Sequence, residues 1–323
     1  MKSLKHILSM AARGTRNFIG RRPFCTSFEI TYACNARCRH CHLGGPHPDE
    51  TRATAQEFAL RARELGTLVA QVSGGEPLLR RDVEDIVRAI KRQGRVPFVV
   101  LTTNGALLDR AKHQSLRHAG VDSFSLSLDY PDERHDSFRG IPGLFAKIVD
   151  LLKSLQDVED KAIVLSAVVQ RDNYRDLMAL VEFARRWGVR MNFSTYTWLR
   201  TDIKDFMIPP DELPELRHEL ERVKADKRRH PTVFTSDFVF EKMPEFFQHH
   251  SISGCRAGER FLVVNPDATL SPCGLIIRDY KTRKDLMTDF FRTNTCGECY
   301  TSIRANNEKP MAYLIRDSLR AIR

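Results

Sequence analysis

The chain has 323 residues, 42% apolar and 28% charged, which suits a soluble globular protein with one large α/β domain and a smaller unit. No apolar run approaches the ~20 residues that cross a bilayer. Eight clustered cysteines with no secretory signal before them argue against a disulfide scaffold and for metal-bound thiolates in a reducing cytosol. The formal charge of +10 does not point to nucleic acid. Lys2, Lys5, Arg13, Arg16, Arg21 and Arg22 put +6 into the first 28 residues, which hold no acid, and leave only +4 for the rest.

Residues 1–23 form the first unit, and residues 1–22 read as a basic amphipathic helix. Leu4, Ile7, Leu8 and Ala11 recur at i, i+3, i+4 and i+7 among Lys and Arg. Such a helix could lie on an anionic membrane surface, making the protein cytoplasmic with a peripheral membrane contact, or could cap the main domain. An organellar transit peptide has the same look.

Phe24 to Tyr32 alternates as a strand. After a loop, Thr54-Ala55-Gln56-Glu57 is a capping box that opens a helix ending at Gly66. Strands follow at Leu68–Ser73, Val96–Thr103, Ser123–Asp129, Lys161–Gln170 and Val189–Thr197, with helices between them ending at Gly94, Gly120 and Gly188. Glycine suits the left-handed position just past a helix. Six strands alternating with helices over 24–200 predict a parallel α/β sheet covered by helices, with ligands at the carboxyl ends of the strands. The conspicuous motifs all lie just there: Cys34–Cys41 after the first strand, Ser73-Gly74-Gly75-Glu76-Pro77 at the second, Thr102-Thr103-Asn104-Gly105 at the third and Ser127-Leu128-Asp129 at the fourth. Residues 201–250, with Pro209, Pro210, Pro214 and a charged helix, read as a helical linker. Residues 251–302 hold Cys255, Cys273, Cys296 and Cys299. Met311, Leu314, Ile315, Leu319 and Ile322 mark an amphipathic helix over 303–323.

Cys34, Cys38 and Cys41 are spaced C-x3-C-x2-C. Three thiolates are one short of a closed four-ligand site, and an open position is what a catalytic metal keeps. A [4Fe–4S] cluster held at three irons fits this pattern, as does half of a structural zinc site.

The motifs in this order resemble the radical S-adenosylmethionine (SAM) superfamily. The stretch His135-Asp136-Ser137-Phe138-Arg139-Gly140, with Gly143 and Phe145, is similar to the branch with C-terminal SPASM or twitch domains. The resemblance covers roughly residues 24–302. It implies a partial (β/α)6 TIM-like barrel with a small cysteine-rich twitch-like domain. It further implies that Cys34, Cys38 and Cys41 hold a [4Fe–4S] cluster whose fourth iron is chelated by SAM, and that an electron cleaves SAM to a 5′-deoxyadenosyl radical that abstracts a substrate hydrogen. Gly74, Gly75 and Glu76 would cradle the methionine end, by close backbone approach and by pairing a carboxylate with an ammonium. Ser127 and Asp129 would contact the ribose or carboxylate, Arg139 would be a carboxylate partner, and Asn104 is a further candidate. His40 is expected to pack near the cluster, His42 and His47 to be loop histidines, and Cys25 to be a small core residue.

Cys255, Cys273, Cys296 and Cys299 are enough to close one auxiliary [4Fe–4S] cluster, for electron transfer, around a hairpin turning at Pro266-Asp267. A four-cysteine zinc ribbon is the alternative. The expected function is a radical SAM enzyme acting on a small molecule, lipid or metabolite, reduced by a flavodoxin or ferredoxin. The alternatives are a maturase of a ribosomal peptide working with a separate recognition partner, because only 33 residues precede Cys34, and a zinc-bound structural or nucleic-acid-binding protein.

Overall fold

The computed structural model describes residues 4–310 and Tyr313, and in the first helix the side chains of Met10 and of residues 12–19. The elements in chain order are α1 (Leu4–Ile19), β1 (Cys25–Thr31), α2 (Ala55–Leu65), β2 (Val69–Gly74), α3 (Val83–Arg92), β3 (Phe98–Thr103), α4 (Arg110–Ala119) and β4 (Ser123–Ser127). Then come α5 (Arg134–Arg139), α6 (Leu144–Ser154), β5 (Ile163–Val169), α7 (Leu177–Arg186), β6 (Arg190–Thr195), α8 (Leu213–Lys227) and α9 (Asp237–His249). The chain closes with β7 (Phe261–Val264), β8 (Leu270–Ser271), α10 (Arg283–Asp289) and α11 (Ser302–Asn307).

The strands form one open sheet in the order β6-β5-β4-β3-β2-β1-β7-β8. Every pairing from β6 through β7 is parallel, and only β7 with β8 is antiparallel. The six alternating strands predicted from sequence are all present. The hairpin around Pro266-Asp267 forms as expected, but it continues the same sheet, because β7 pairs with β1 in register from Cys25↔Phe261 to Phe28↔Val264.

The helices form where local chemistry starts and stops them. Thr54 Oγ1 accepts from the Glu57 N–H, and the Glu57 carboxylate accepts from the Thr54 N–H at 2.7 Å, so α2 begins with a complete capping box. It ends at Gly66 with φ +64. Gly94 departs from the expected rule. Its φ is not left-handed, and glycine is needed because a Cβ there would lie 2.8 Å from Ala62 Cβ and 2.5 Å from the Ile90 carbonyl.

Each strand has two unlike faces. Phe28, Val72, Leu101, Phe124, Leu165 and Phe193 are fully buried under the helices. Each such aromatic or aliphatic side chain contributes roughly 1.5–3 kcal/mol. The alternate positions carry Ser27, Glu29, Gln71, Ser73, Thr102, Ser125, Ser127, Ser166 and Ser194. Several bond across strands: Ser27 with Ser73 at 2.7 Å, Gln71 to Thr102 at 2.9 Å, Ser125 with Ser166 at 2.9 Å. A parallel sheet packed on both faces is apolar on both. A hydroxyl-rich inner face marks a lined cavity instead.

Two terminal expectations are sharpened. The described part of α1 is tied across the end of the barrel where strands begin. The Asn17 amide donates to the Pro23 and Gly66 carbonyls at 2.9 Å, and Arg13 reaches the Arg95 carbonyl at 2.6 Å. This is the capping arrangement, on the side opposite the motif loops. Among the described residues no helix is long and apolar enough to cross a membrane. Most of the stretch 303–323, with Met311, Leu314, Ile315, Leu319 and Ile322, lies outside the described residues.

Residues 201–250 are more than a linker. Leu213, Leu216, Leu220 and Val223 of α8 and Val239, Phe240, Met243 and Phe246 of α9 are buried. Val233 forms a parallel bridge with Met191, bonded on both sides, so this segment covers the free edge of β6. The charged residues on the outer side of α8 mask its apolar stripe in the sequence.

Candidate active site

The cysteine loop leaves the carboxyl end of β1 and is fixed from three sides. Within the loop, the Cys34 N–H donates to the Gly45 carbonyl at 2.9 Å and the Gly45 N–H donates back at 3.1 Å. The end of α5 holds it through Arg37 N–H to the Arg139 carbonyl and Arg39 N–H to the Phe138 carbonyl. The turn after β2 supports it from below, with Gly75 N–H on the Thr31 carbonyl and Glu76 N–H on the Ala33 carbonyl. A Cβ on Gly75 would lie 2.3 Å from the Ala33 oxygen, and one on Gly74, at φ +133, 2.1 Å from the Thr31 oxygen. Both glycines are therefore required by the backbone of the cysteine loop itself.

Cys34, Cys38 and Cys41 line one cavity of about 180 Å³ with Gly74, Gly75, Asn104, Ser127 and Arg139. The structure thus brings together the three thiols and five of the seven other residues predicted for the first site. The other two lie behind the wall. Glu76 is fully buried, and its carboxylate accepts from Thr103 Oγ1 at 2.8 Å, Asn104 N–H at 2.8 Å and Leu78 N–H at 3.1 Å. Burial lifts its pKa to about 7 against these bonds. Asp129 is also fully buried. One oxygen accepts from Arg139 at 2.6–2.7 Å and the other from the Val168 N–H at 2.9 Å. Burial acts to raise its pKa, but Arg139 outweighs it and holds the carboxyl below its ordinary range. Glu76 thus pins the Asn104 loop, and Asp129 pins Arg139.

Two guanidiniums face the thiols. Arg139 reaches Cys38 Sγ at 3.8 Å, and Arg200, in the turn after β6, reaches Cys41 Sγ at 3.8 Å. Sequence reasoning missed Arg200, although it follows a strand end as the other motifs do. It also missed α5 and Glu50, whose carboxylate accepts from Thr31 Oγ1 at 2.7 Å and from the Tyr32 N–H. His40 stacks on Phe138, centroids 4.8 Å apart and planes 8° apart. Burial pushes its pKa down to about 3, so the ring is neutral. His47 meets the Tyr32 ring edge-on, and the Cys25 thiol, on β1, is pushed up to about 12 by burial.

Cys255, Cys273, Cys296 and Cys299 line a second cavity of about 280 Å³ together with the inner barrel residues Ser27, Glu29 and Gln71. His40, Ser73, Gly74 and Arg200 line both cavities, so the two adjoin. All eight cysteines are free thiols. Burial lifts Cys34 and Cys273 to about 11 and Cys255 and Cys299 to about 12. A metal centre binding here must displace those protons. Among the described residues no three His, Cys, Asp or Glu side chains converge on a single ion. One tetrahedral zinc would draw its sulfurs to within about 3.8 Å of each other, from Zn–S bonds of about 2.3 Å. Each thiol set lines one cavity, and the first has Arg139 and Arg200 beside it.

Residues 28–184 match the family model of the radical SAM superfamily. That stretch belongs to the superfamily. A probable GTP 3′,8-cyclase from Saccharolobus solfataricus is 34% identical to this chain over 165 residues, 50% of this chain and 52% of that protein. The chain thus spans about half the length of that relative. An AdoMet-dependent heme synthase from Nitratidesulfovibrio vulgaris is 24% identical over 295 residues, 83% of this chain and 78% of its own. In three dimensions the chain shares the fold of Streptococcus suis SuiB bound to S-adenosylmethionine, with a TM-score of 0.65 at 18% identity over 90% of this chain and 71% of that one. It also shares the fold of anSMEcpe with bound AdoMet and a peptide, with a TM-score of 0.60 at 17% identity over 91% and 80%. The partial-barrel expectation holds.

Proposed function

We propose that Cys34, Cys38 and Cys41 hold a [4Fe–4S] cluster with an open position for SAM, and that Cys255, Cys273, Cys296 and Cys299 hold one auxiliary [4Fe–4S] cluster. When bound, the first cluster supplies the electron that cleaves SAM to the radical that takes a substrate hydrogen atom. The observation that carries this reading is that the two thiol sets line adjoining cavities, with His40, Ser73, Gly74 and Arg200 common to both.

The chain's own residues have separable tasks. Gly74 and Gly75, packed against the base of the cysteine loop, present their backbone to SAM's methionine end. Ser127 and Asn104 offer hydrogen bonds to it, and Arg139, oriented by Asp129, offers a cation to its carboxylate. Glu76 acts by holding the Asn104 loop. The barrel interior beyond, where Ser27, Gln71 and Ser194 stand beside Val168, Leu199 and Leu275, binds a small molecule with polar and apolar parts. That α1 is tied to the opposite end of the barrel favours such a metabolite over a lipid drawn from a membrane. A one-electron protein donor of the flavodoxin or ferredoxin kind supplies the reducing equivalent.

The test is 5′-deoxyadenosine formation by the reduced enzyme. Cys34→Ala is expected to abolish it. Cys296→Ala is expected to spare cleavage without substrate but to impair turnover with it. Cleavage that survives Cys34→Ala would sink the assignment.

A further inference from the structure

Among the described residues Arg200 is the one guanidinium that touches both cysteine sites. Its Nη1 lies 3.8 Å from Cys41 Sγ. Its Nε and Nη2 both donate to the Gly274 carbonyl, at 3.1 and 2.7 Å, one residue beyond Cys273. Among the described residues its one carboxylate partner is Glu29, at 3.5 Å. The Arg200 side chain is 21% exposed and Glu29 only 7%, so solvent screens this group of charges poorly. Glu29, Cys41 and Cys273 all favour the charged guanidinium, against the cost of burial. The arginine stands in the shared wall of the two cavities.

We propose that Arg200 is a positioning residue that couples the two cysteine sites, locking the Cys273 turn to the Cys41 loop and favouring the reduced state of both centres. The inference rests on the reading that each thiol set holds an iron–sulfur cluster. A reduced cluster gains one negative charge from its one-electron donor, and a fixed cation beside it stabilises that charge. An ionised Glu29 opposes the effect by partly neutralising the cation; burial raises its pKa and Arg200 acts to lower it. Charge and hydrogen bonding at the sulfurs are the protein's means of setting a cluster's potential.

The test is a dye-mediated redox titration of the purified full chain, followed by electron paramagnetic resonance, with iron and sulfide counted in each variant. Arg200→Gln is expected to lower the midpoints of both centres by about tenfold in the reduction equilibrium, about 59 mV for one electron. Arg200→Lys, which keeps the charge, should stay near the parent. At a pH high enough to ionise the buried Glu29, Glu29→Gln should move the midpoints the opposite way, upward. A fully loaded Arg200→Gln protein with unchanged midpoints overturns the inference. If Arg200→Gln fails to load, Glu29→Gln decides at that pH: an unchanged or lowered midpoint overturns the proposal and a raised one supports it. A parent protein without iron and sulfide would instead overturn the cluster reading on which the inference rests.

Discussion

Gly75→Ala isolates the support beneath the cysteine loop. The added Cβ would lie 2.3 Å from the Ala33 oxygen, 2.4 Å from the Tyr32 oxygen and 2.6 Å from the Ala33 carbonyl carbon. Ordinary contact begins near 3.4 Å, so the backbone one residue before Cys34 must retreat by about 1 Å. No flexible side chain can yield in its place. Overpacking of this kind costs about 1–3 kcal/mol. In a chain that folds with several times that margin the protein survives, but Cys34 is displaced relative to Cys38 and Cys41. The assay is iron and sulfide per chain after reconstitution, beside a circular dichroism melt. The expected result is a folded protein with a lowered Tm that has lost iron from its first site and no longer binds SAM. Gly143→Ala is the control. Gly143 has φ +73, but its Cβ would meet nothing within 4 Å, so only backbone strain of about 1–2 kcal/mol is expected, with iron retained. Full iron loading and SAM binding in Gly75→Ala would refute the reasoning.

Asp129→Asn strands a buried Arg139, and removing one partner of such a pair costs about 3–5 kcal/mol. Urea unfolding should show the Asp129→Asn, Arg139→Met double variant losing less than the sum of the two singles. Thr54→Ala removes the α2 cap, remote from the thiols, and should cost about 1 kcal/mol with cofactor content unchanged. Glu76 gives a pH signature. Its folded pKa of about 7 lies above the ordinary 4.5, so between those values the folded chain keeps a proton that the unfolded chain has lost. Its contribution is therefore greatest below pH 4.5 and falls as pH rises toward 7, by about 3 kcal/mol at most. Melts of Glu76→Gln should lack that part of the slope, and an identical slope would remove Glu76 as its source.

The frame was legible because local signals agreed with the global fold. The Thr54–Glu57 capping box, the glycines after α2 and α7, and the strand periodicity each specified an element that is present. The order of motifs at strand ends specified where Cys34, Gly74, Asn104 and Ser127 would meet. What was not legible depends on long-range contact. Glu76 and Asp129 look in sequence like site carboxylates, yet Thr103 and Arg139 respectively take up their oxygens. Arg200 reads as a charged loop residue until Gly274, 74 positions later, is folded against it. The late hairpin gives no sign in sequence that β7 will pair with β1. The charged face of α8 hides a stripe that is buried only because α7 and α9 flank it.

The central claim is that the Cys34, Cys38 and Cys41 loop holds a cluster with one open iron for SAM. The most direct measurement is the electron paramagnetic resonance spectrum of the dithionite-reduced protein with and without SAM, in the parent and in Cys34→Ala. The expected result is two overlapping signals in the parent, of which SAM shifts one, and a single SAM-insensitive signal in Cys34→Ala. A protein that carries zinc without sulfide, or a parent spectrum that SAM leaves unchanged, would contradict the claim.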